Sequence, residues 1–186
     1  MRHTDGRKEH CRQLRNAGLV EHLLTGADED GRVRELYLAS VEAFNQWSEA
    51  LNEQSTPRRP GEGFSLMILA DATGVDNDAV GALADWCLEN GLFSVSVWGP
   101  GCERVHDVFD EEDVIKGPSA ATRGKAVVMS TWHESESLLE ALEYFWTSTF
   151  EDESVDWGPA WIILVVGRND WAEQARALAA TELAAL

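Results

Sequence analysis

Cys102, His133, Asp71 and Glu103 are the residues of this chain whose types fit nucleophilic or acid–base chemistry. Each stands where an apolar run gives way to polar residues. Cys102 with His133 would supply a thiolate and its base, and a glycine-rich turn plus a helix N-terminus would lower the thiol pKa and stabilise an oxyanion. Around them, Trp98, Gly99, Gly101, Thr131, Trp132 and Arg168 are the candidates for holding a ligand. His106, Asp107, His133 and Glu134 carry donors that metals accept, but the chain has no H-E-x-x-H and no paired-cysteine spacing, so no metal site is expected. It also lacks a G-x-x-x-x-G-K-[ST] and a G-x-G-x-x-G, and LADATGVDND after the first apolar run is acidic where a phosphate loop would be glycine-rich. No cofactor is expected. The plainer alternative is that Asp71, Glu134 and Asp170 cap or charge helix N-termini while the glycines permit a tight turn.

These residues need elements to position them, and the apolar runs supply four. FSLMILADA (Phe64 to Ala72), LFSVSVWG (Leu92 to Gly99), KAVVMSTW (Lys125 to Trp132) and AWIILVVG (Ala160 to Gly167) read as strands, the first and last nearly continuous as in a sheet covered on both faces. A helical pattern follows each. Asp76 to Asn90 carries Val80, Leu83, Ala84, Cys87 and Leu88 on one face, with Asp and Asn as caps and Gly91 as stop. The helix after the third strand has Leu138, Leu139, Leu142, Phe145 and Trp146 on one face, with Ser135 or Ser137 as cap, and the last helix starts at Asn169 or Asp170. Alternation of this kind predicts a four-stranded, mostly parallel, doubly wound sheet of the Rossmann-like or flavodoxin-like class. The third or the fourth strand can sit beside the first under right-handed crossovers. In such sheets ligands bind outside the carboxyl ends of the strands, which is where the candidate residues stand.

Ahead of this unit, Val33, Leu36, Tyr37, Val41, Phe44, Trp47 and Leu51 recur at spacings of three and four, predicting an amphipathic helix. Arg7 to Leu24 is helix-compatible, and Gly26 to Gly31 has a turn composition, so residues 1–54 are expected to form a helical hairpin. The polar stretch NEQSTPRRPGEG ends at Gly63, making 55–63 a linker and 64–186 the α/β domain.

The chain has 186 residues, 44% hydrophobic, with 15 Lys and Arg against 33 Asp and Glu, a formal net charge of −18. A phosphate backbone or an anionic membrane would be repelled, which leaves solubility, a basic protein partner, or mimicry of nucleic-acid charge towards a protein that binds nucleic acid as the use of the charge. No apolar run reaches the roughly 20 residues of a membrane span, and MRHTDGRKEHCRQLRNAG lacks the apolar stretch of a secretory signal. Cys11, Cys87 and Cys102 are odd in number and unrelated in context, as expected in a reducing cytoplasm. Of eight tryptophans, Trp47, Trp86 and Trp146 lie at apolar stripes, whereas Trp98, Trp132 and Trp157 stand at strand ends or in a loop, where they would either seal the sheet or mark an interface.

SVSVWGPGCERVHDVFDE (Ser94 to Glu111) and VVMSTWHESESLLEALEYF (Val127 to Phe145) carry a W-G-x-x-C-E turn and an S/T-T-W-H turn. In these the chain resembles a family of small bacterial domains of unknown function, from about Phe64 to Ala180. The resemblance implies a bacterial origin and a defined domain, with no activity attached. The expectation is a non-enzymatic, cytoplasmic interaction or regulatory module. The alternative is a small-molecule-binding domain or a cysteine- and histidine-dependent hydrolase at the strand ends.

Overall fold

A computed structural model of the chain describes residues 20–27, 31–51, 63–116, 128–148 and 158–186. Its elements are β1 (Val20–Ala27), β2 (Val33–Val41), a 3-10 turn (Phe44–Gln46), α1 (Trp47–Leu51), β3 (Phe64–Ala70), α2 (Asn77–Glu89), β4 (Leu92–Trp98), α3 (Cys102–Lys116), β5 (Met129–His133), α4 (Leu138–Thr147), β6 (Ala160–Val166), α5 (Asn169–Thr181) and a final 3-10 turn (Leu183–Ala185).

The strands form one sheet of six, in the order β1-β2-β6-β3-β4-β5. β2 to β6 are all parallel, and β1 is antiparallel to β2 at one edge. Of the two placements open in the sequence, β6 is the strand beside β3, on the side away from β4. Side chains alternate across a strand, so the inner strands β2, β6, β3 and β4 feed apolar layers on both sides of the sheet. On one side Phe64, Leu66 and Ile68 of β3 pack with Leu83 and Leu88 of α2 and Val105 and Phe109 of α3; on the other, Met67 and Leu69 pack with Leu142 and Phe145 of α4 and Ala175 of α5. β3 leads into a helix on the first face and its neighbour β6 into a helix on the second, so the direction of winding changes between β3 and β6.

Local signals agree with this. Asp76 caps α2 by accepting from the Asp78 amide, and Gly91 follows the helix with φ +87°. α4 opens on a capping box, Ser137 with Glu140, in which the Ser137 amide donates to Glu140 Oε2 at 2.8 Å.

The helical hairpin expected over residues 1–54 is not what forms: Val20–Ala27 and Val33–Val41 are strands, which raises the sheet from four strands to six. The stripe at spacings of three and four has a different cause. β2 is buried on both faces, Leu36 and Leu38 facing α4 and α5 and Tyr37 and Ala39 facing the opposite layer, so its apolar residues are nearly contiguous and fit a helical template by accident. Phe44 and Leu51, which continue the stripe, belong to the 3-10 turn and the short α1. β2 pairs with β6 over seven residue pairs, from Glu35↔Ala160 to Val41↔Val166, and so lies inside the sheet. Residues 1–19, most of the 55–63 linker and residues 125–127 of the expected third strand lie outside the described residues, as do Cys11 and Trp157. Among the described residues no helix is long and apolar enough to cross a membrane.

Candidate functional site

The residues at the carboxyl ends of the strands are brought together, and most are occupied by one another. Gly99 has φ +114°, and a Cβ there would lie 2.4 Å from the Ala70 carbonyl oxygen; Gly101 has φ +74° and lies against Ala72. The Ala72 amide donates to the Pro100 carbonyl at 2.8 Å. This turn therefore bolts the end of β4 to the end of β3, and only glycine permits the approach. Trp98 Nε1 donates to the Glu136 carbonyl at 2.9 Å, and its ring meets Trp171 edge-on at 4.9 Å. Arg168 lies over the Trp171 ring at 4.1 Å and forks onto Asp170 at 2.8 and 2.6 Å. Asp71 accepts from the Thr73 amide at 3.1 Å; hydrogen bonds from Thr73, helped by Arg168, hold its carboxyl below the usual carboxylate range. Glu103 is exposed in the first turn of α3, where a carboxylate complements the helix dipole.

Cys102 starts α3 and is fully buried, packed in the same apolar layer as Val105 and Phe109. Burial pushes its thiol pKa up; backbone hydrogen bonds from His133 and Glu103 pull it down without prevailing. A low-pKa nucleophile needs the opposite surroundings. The sulfur reaches the backbone of His133, but the His133 ring lies across the sheet, tilted against Tyr144 of α4 with ring centroids 5.1 Å apart and Nδ1 3.8 Å from Glu136 Oε1. Burial lowers the His133 pKa from its ordinary value, with Glu136 opposing.

Alternation along β5 separates the histidines in the same way. Trp132 points to the α3 side and lies tilted against His106 with ring centroids 4.5 Å apart, next to Asp107 and Asp110, while Ser130 donates to Asp110 Oδ1 at 2.5 Å. His106 and His133 thus lie on opposite faces, and among the described residues no group of three or more His, Cys, Asp or Glu could hold a metal ion.

What the sequence did not point to is a polar cavity of about 350 Å³ on the α4 side of β4 and β5, lined by Ser94, Ser96, Met129, Thr131, Tyr144 and Ser148 among others. A second hollow of about 410 Å³ shares Thr131 and Tyr144 with it and opens over the edge of β5 between Trp132, His133, Glu136 and Glu140. Ser96 Oγ and Thr131 Oγ1 are 2.9 Å apart, and Thr131 Oγ1 is 3.4 Å from His133 Nε2. Ser94, Ser96 and His133 are three of the five buried polar or charged residues described, the others being Arg34 and Ser65. The signal for this cluster was present in S-V-S-V-W: serines at alternate positions put hydroxyls on one face of a strand whose other face is Val95 and Val97.

A family model whose description is domain of unknown function (DUF7684) matches residues 45–182, from the turn before α1 through α5. It leaves out β1 and β2. No curated protein and no solved structure is similar to the chain at a significant level.

Proposed function

The chain belongs to the family of domains of unknown function DUF7684, and we propose that this member is a non-enzymatic interaction module whose β5 edge takes up an extended, Lys- or Arg-rich segment of a partner protein. The observation that carries this is the contrast between the two edges of the sheet. Exposed edges invite pairing, and proteins blunt them with bulges, lysines or prolines. β1 has a register shift between His22 and Leu24. β5, Met-Ser-Thr-Trp-His, lacks Lys and Pro as β1 does, but its pairing with β4 has no register shift, and among the described residues no strand pairs with its outer side.

The surroundings of β5 fit a basic strand. Met129, Trp132 and Tyr144 are 51%, 45% and 47% exposed, large apolar groups flanking one open ladder. Glu136 and Glu140 line the hollow beside Trp132 and Tyr144, among the described residues no Lys or Arg does, and the whole chain carries −18. Backbone pairing would supply affinity, and aromatic faces beside carboxylates would select cationic side chains. A cytoplasmic bacterial setting suits this reading, since Cys87 and Cys102 are free thiols.

The test is titration of the full chain with an extended Lys/Arg-rich peptide and a Glu-rich control, read by fluorescence and amide hydrogen exchange. The expected result is micromolar binding of the basic peptide, weakened by salt, with protection of Met129–His133. Trp132→Ala should weaken it by roughly tenfold or more. Binding that leaves the β5 amides unprotected, or equal binding of the acidic control, overturns the proposal.

A further inference from the structure

Ser65 and Ser94 are register partners on β3 and β4, 3% and 6% exposed, on the face covered by α4 and α5. Among the described residues neither hydroxyl has a hydrogen-bond partner, whereas Ser96 next to them bonds Thr131 at 2.9 Å. A buried hydroxyl without a partner is costly, and native proteins keep few of them unless something polar arrives to satisfy them. Ser94 opens into the inner cavity of about 350 Å³.

The lining of that cavity restricts what could arrive. Among the described residues its side chains are Ser, Thr, Val, Met, Tyr and Phe, with no charge of either sign. An ion placed there would lose its hydration without a counter-charge. The volume lies at the small end of the range for ligand pockets. Ser94, Ser96, Thr131 and Ser148 line it together with Tyr144 and Phe145; the Ser148 hydroxyl donates to the Tyr144 carbonyl at 2.6 Å and Ser96 pairs with Thr131, which leaves the Ser94 hydroxyl, able to donate and accept, as the one of the four without a partner among the described residues. A lining of hydroxyl-bearing and aromatic side chains suits a ring with hydroxyl groups at its rim and C–H groups on its faces.

We propose that the cavity between β4, β5 and α4 binds a small, uncharged, hydroxyl-bearing ring molecule of the monosaccharide or cyclic-polyol class, with Ser94 as its principal hydrogen-bonding anchor. This goes beyond the β5-edge reading and does not rest on it, because Ser94 lies on the inner strand and lines only the inner of the two hollows. The outer hollow is the one bounded by Glu136 and Glu140.

The experiment is ligand-observed and protein-observed NMR on the full chain with D-glucose, D-galactose and myo-inositol as probes, and gluconate and glucosamine as charged counterparts. At least one neutral ring should bind with a Kd of about 1 mM or better and shift the Thr131 and Tyr144 resonances, with the charged counterparts weaker by about tenfold or more. Ser94→Ala should weaken binding by about tenfold while leaving Tm unchanged or higher, because it removes a hydroxyl that nothing among the described residues satisfies. Ser94→Val should abolish binding by filling the space. No perturbation by any neutral probe at about 10 mM, equal binding by Ser94→Ala, or a marked fall in its Tm would each overturn the proposal. Basic-peptide binding by Ser94→Ala serves as the control: its retention separates failure here from failure at the edge.

Discussion

At the scale of single residues, the difference between Cys102 and His133 is one of surroundings. Both stand at strand ends in the sequence, yet Cys102 is packed among apolar groups and its thiol pKa is raised by burial. Iodoacetamide at pH 8 is therefore expected to leave Cys102 and the equally buried Cys87 unmodified in the folded protein and to label both in urea, as peptide mapping would show. Rapid native labelling of Cys102 would restore the nucleophile reading. His133 makes a pH-dependent contribution whose sign follows from its lowered pKa. The unfolded chain takes up a proton there near the ordinary value of about 6.5 while the folded one resists, so stability is fully present above that pH. It falls as pH drops through 6.5 towards the lower folded value. Urea titrations at pH 7.5 and 5.5 should show a smaller acid-side loss for His133→Gln than for the parent chain.

At the scale of elements, the joints between strands and helices depend on a few close approaches. The turn from β4 into α3 lies so near the end of β3 that a methyl group at Gly99 would meet the Ala70 carbonyl at 2.4 Å, in a backbone conformation that L residues avoid. Gly99→Ala is expected to cost about 2–4 kcal/mol in urea denaturation, since the obstacle is backbone and cannot swing aside. On the opposite side of the sheet Arg34 of β2 is buried, lies over Trp161 at 4.5 Å, and donates to the carbonyls of Trp146 and Ser148 at the end of α4. A cation at a helix C-terminus satisfies orphan carbonyls and complements the dipole. Ser148 also lines the inner cavity, so the N-terminal hairpin helps to hold one wall of the proposed sugar site.

At the scale of the whole molecule, β1 and β2 extend the parallel sheet beyond the part matched by the family, with β2 seated on β6. Leu36, Tyr37, Leu38, Phe44 and Leu51 are all buried. Each large apolar side chain is worth about 1.5–3 kcal/mol when buried, against a typical total stability of about 5–15 kcal/mol. A chain beginning at Gly61 is accordingly expected to unfold or aggregate, visible as lost near-UV circular dichroism and increased dye binding. A monomeric, cooperatively folding product would show the hairpin to be an accessory.

The sequence alone determined the alternation of strand and helix from Phe64 onward, the caps of α2 and α4, and the parallel direction of the strands, because these follow from local periodicity and from the chain length needed to cross a sheet. It also placed Trp132 and His133 at the end of a strand. The tertiary structure decided that Val33–Val41 is a strand, because a segment buried on both faces has no periodicity of its own and takes its form from its neighbour β6. It likewise decided that Cys102 and the ring of His133 lie on opposite sides of the sheet, and that Ser94, Ser96 and Thr131 surround a cavity with Tyr144. Pairing and register bring such groups together from distant segments, and nothing in the local sequence specifies which strands will be neighbours.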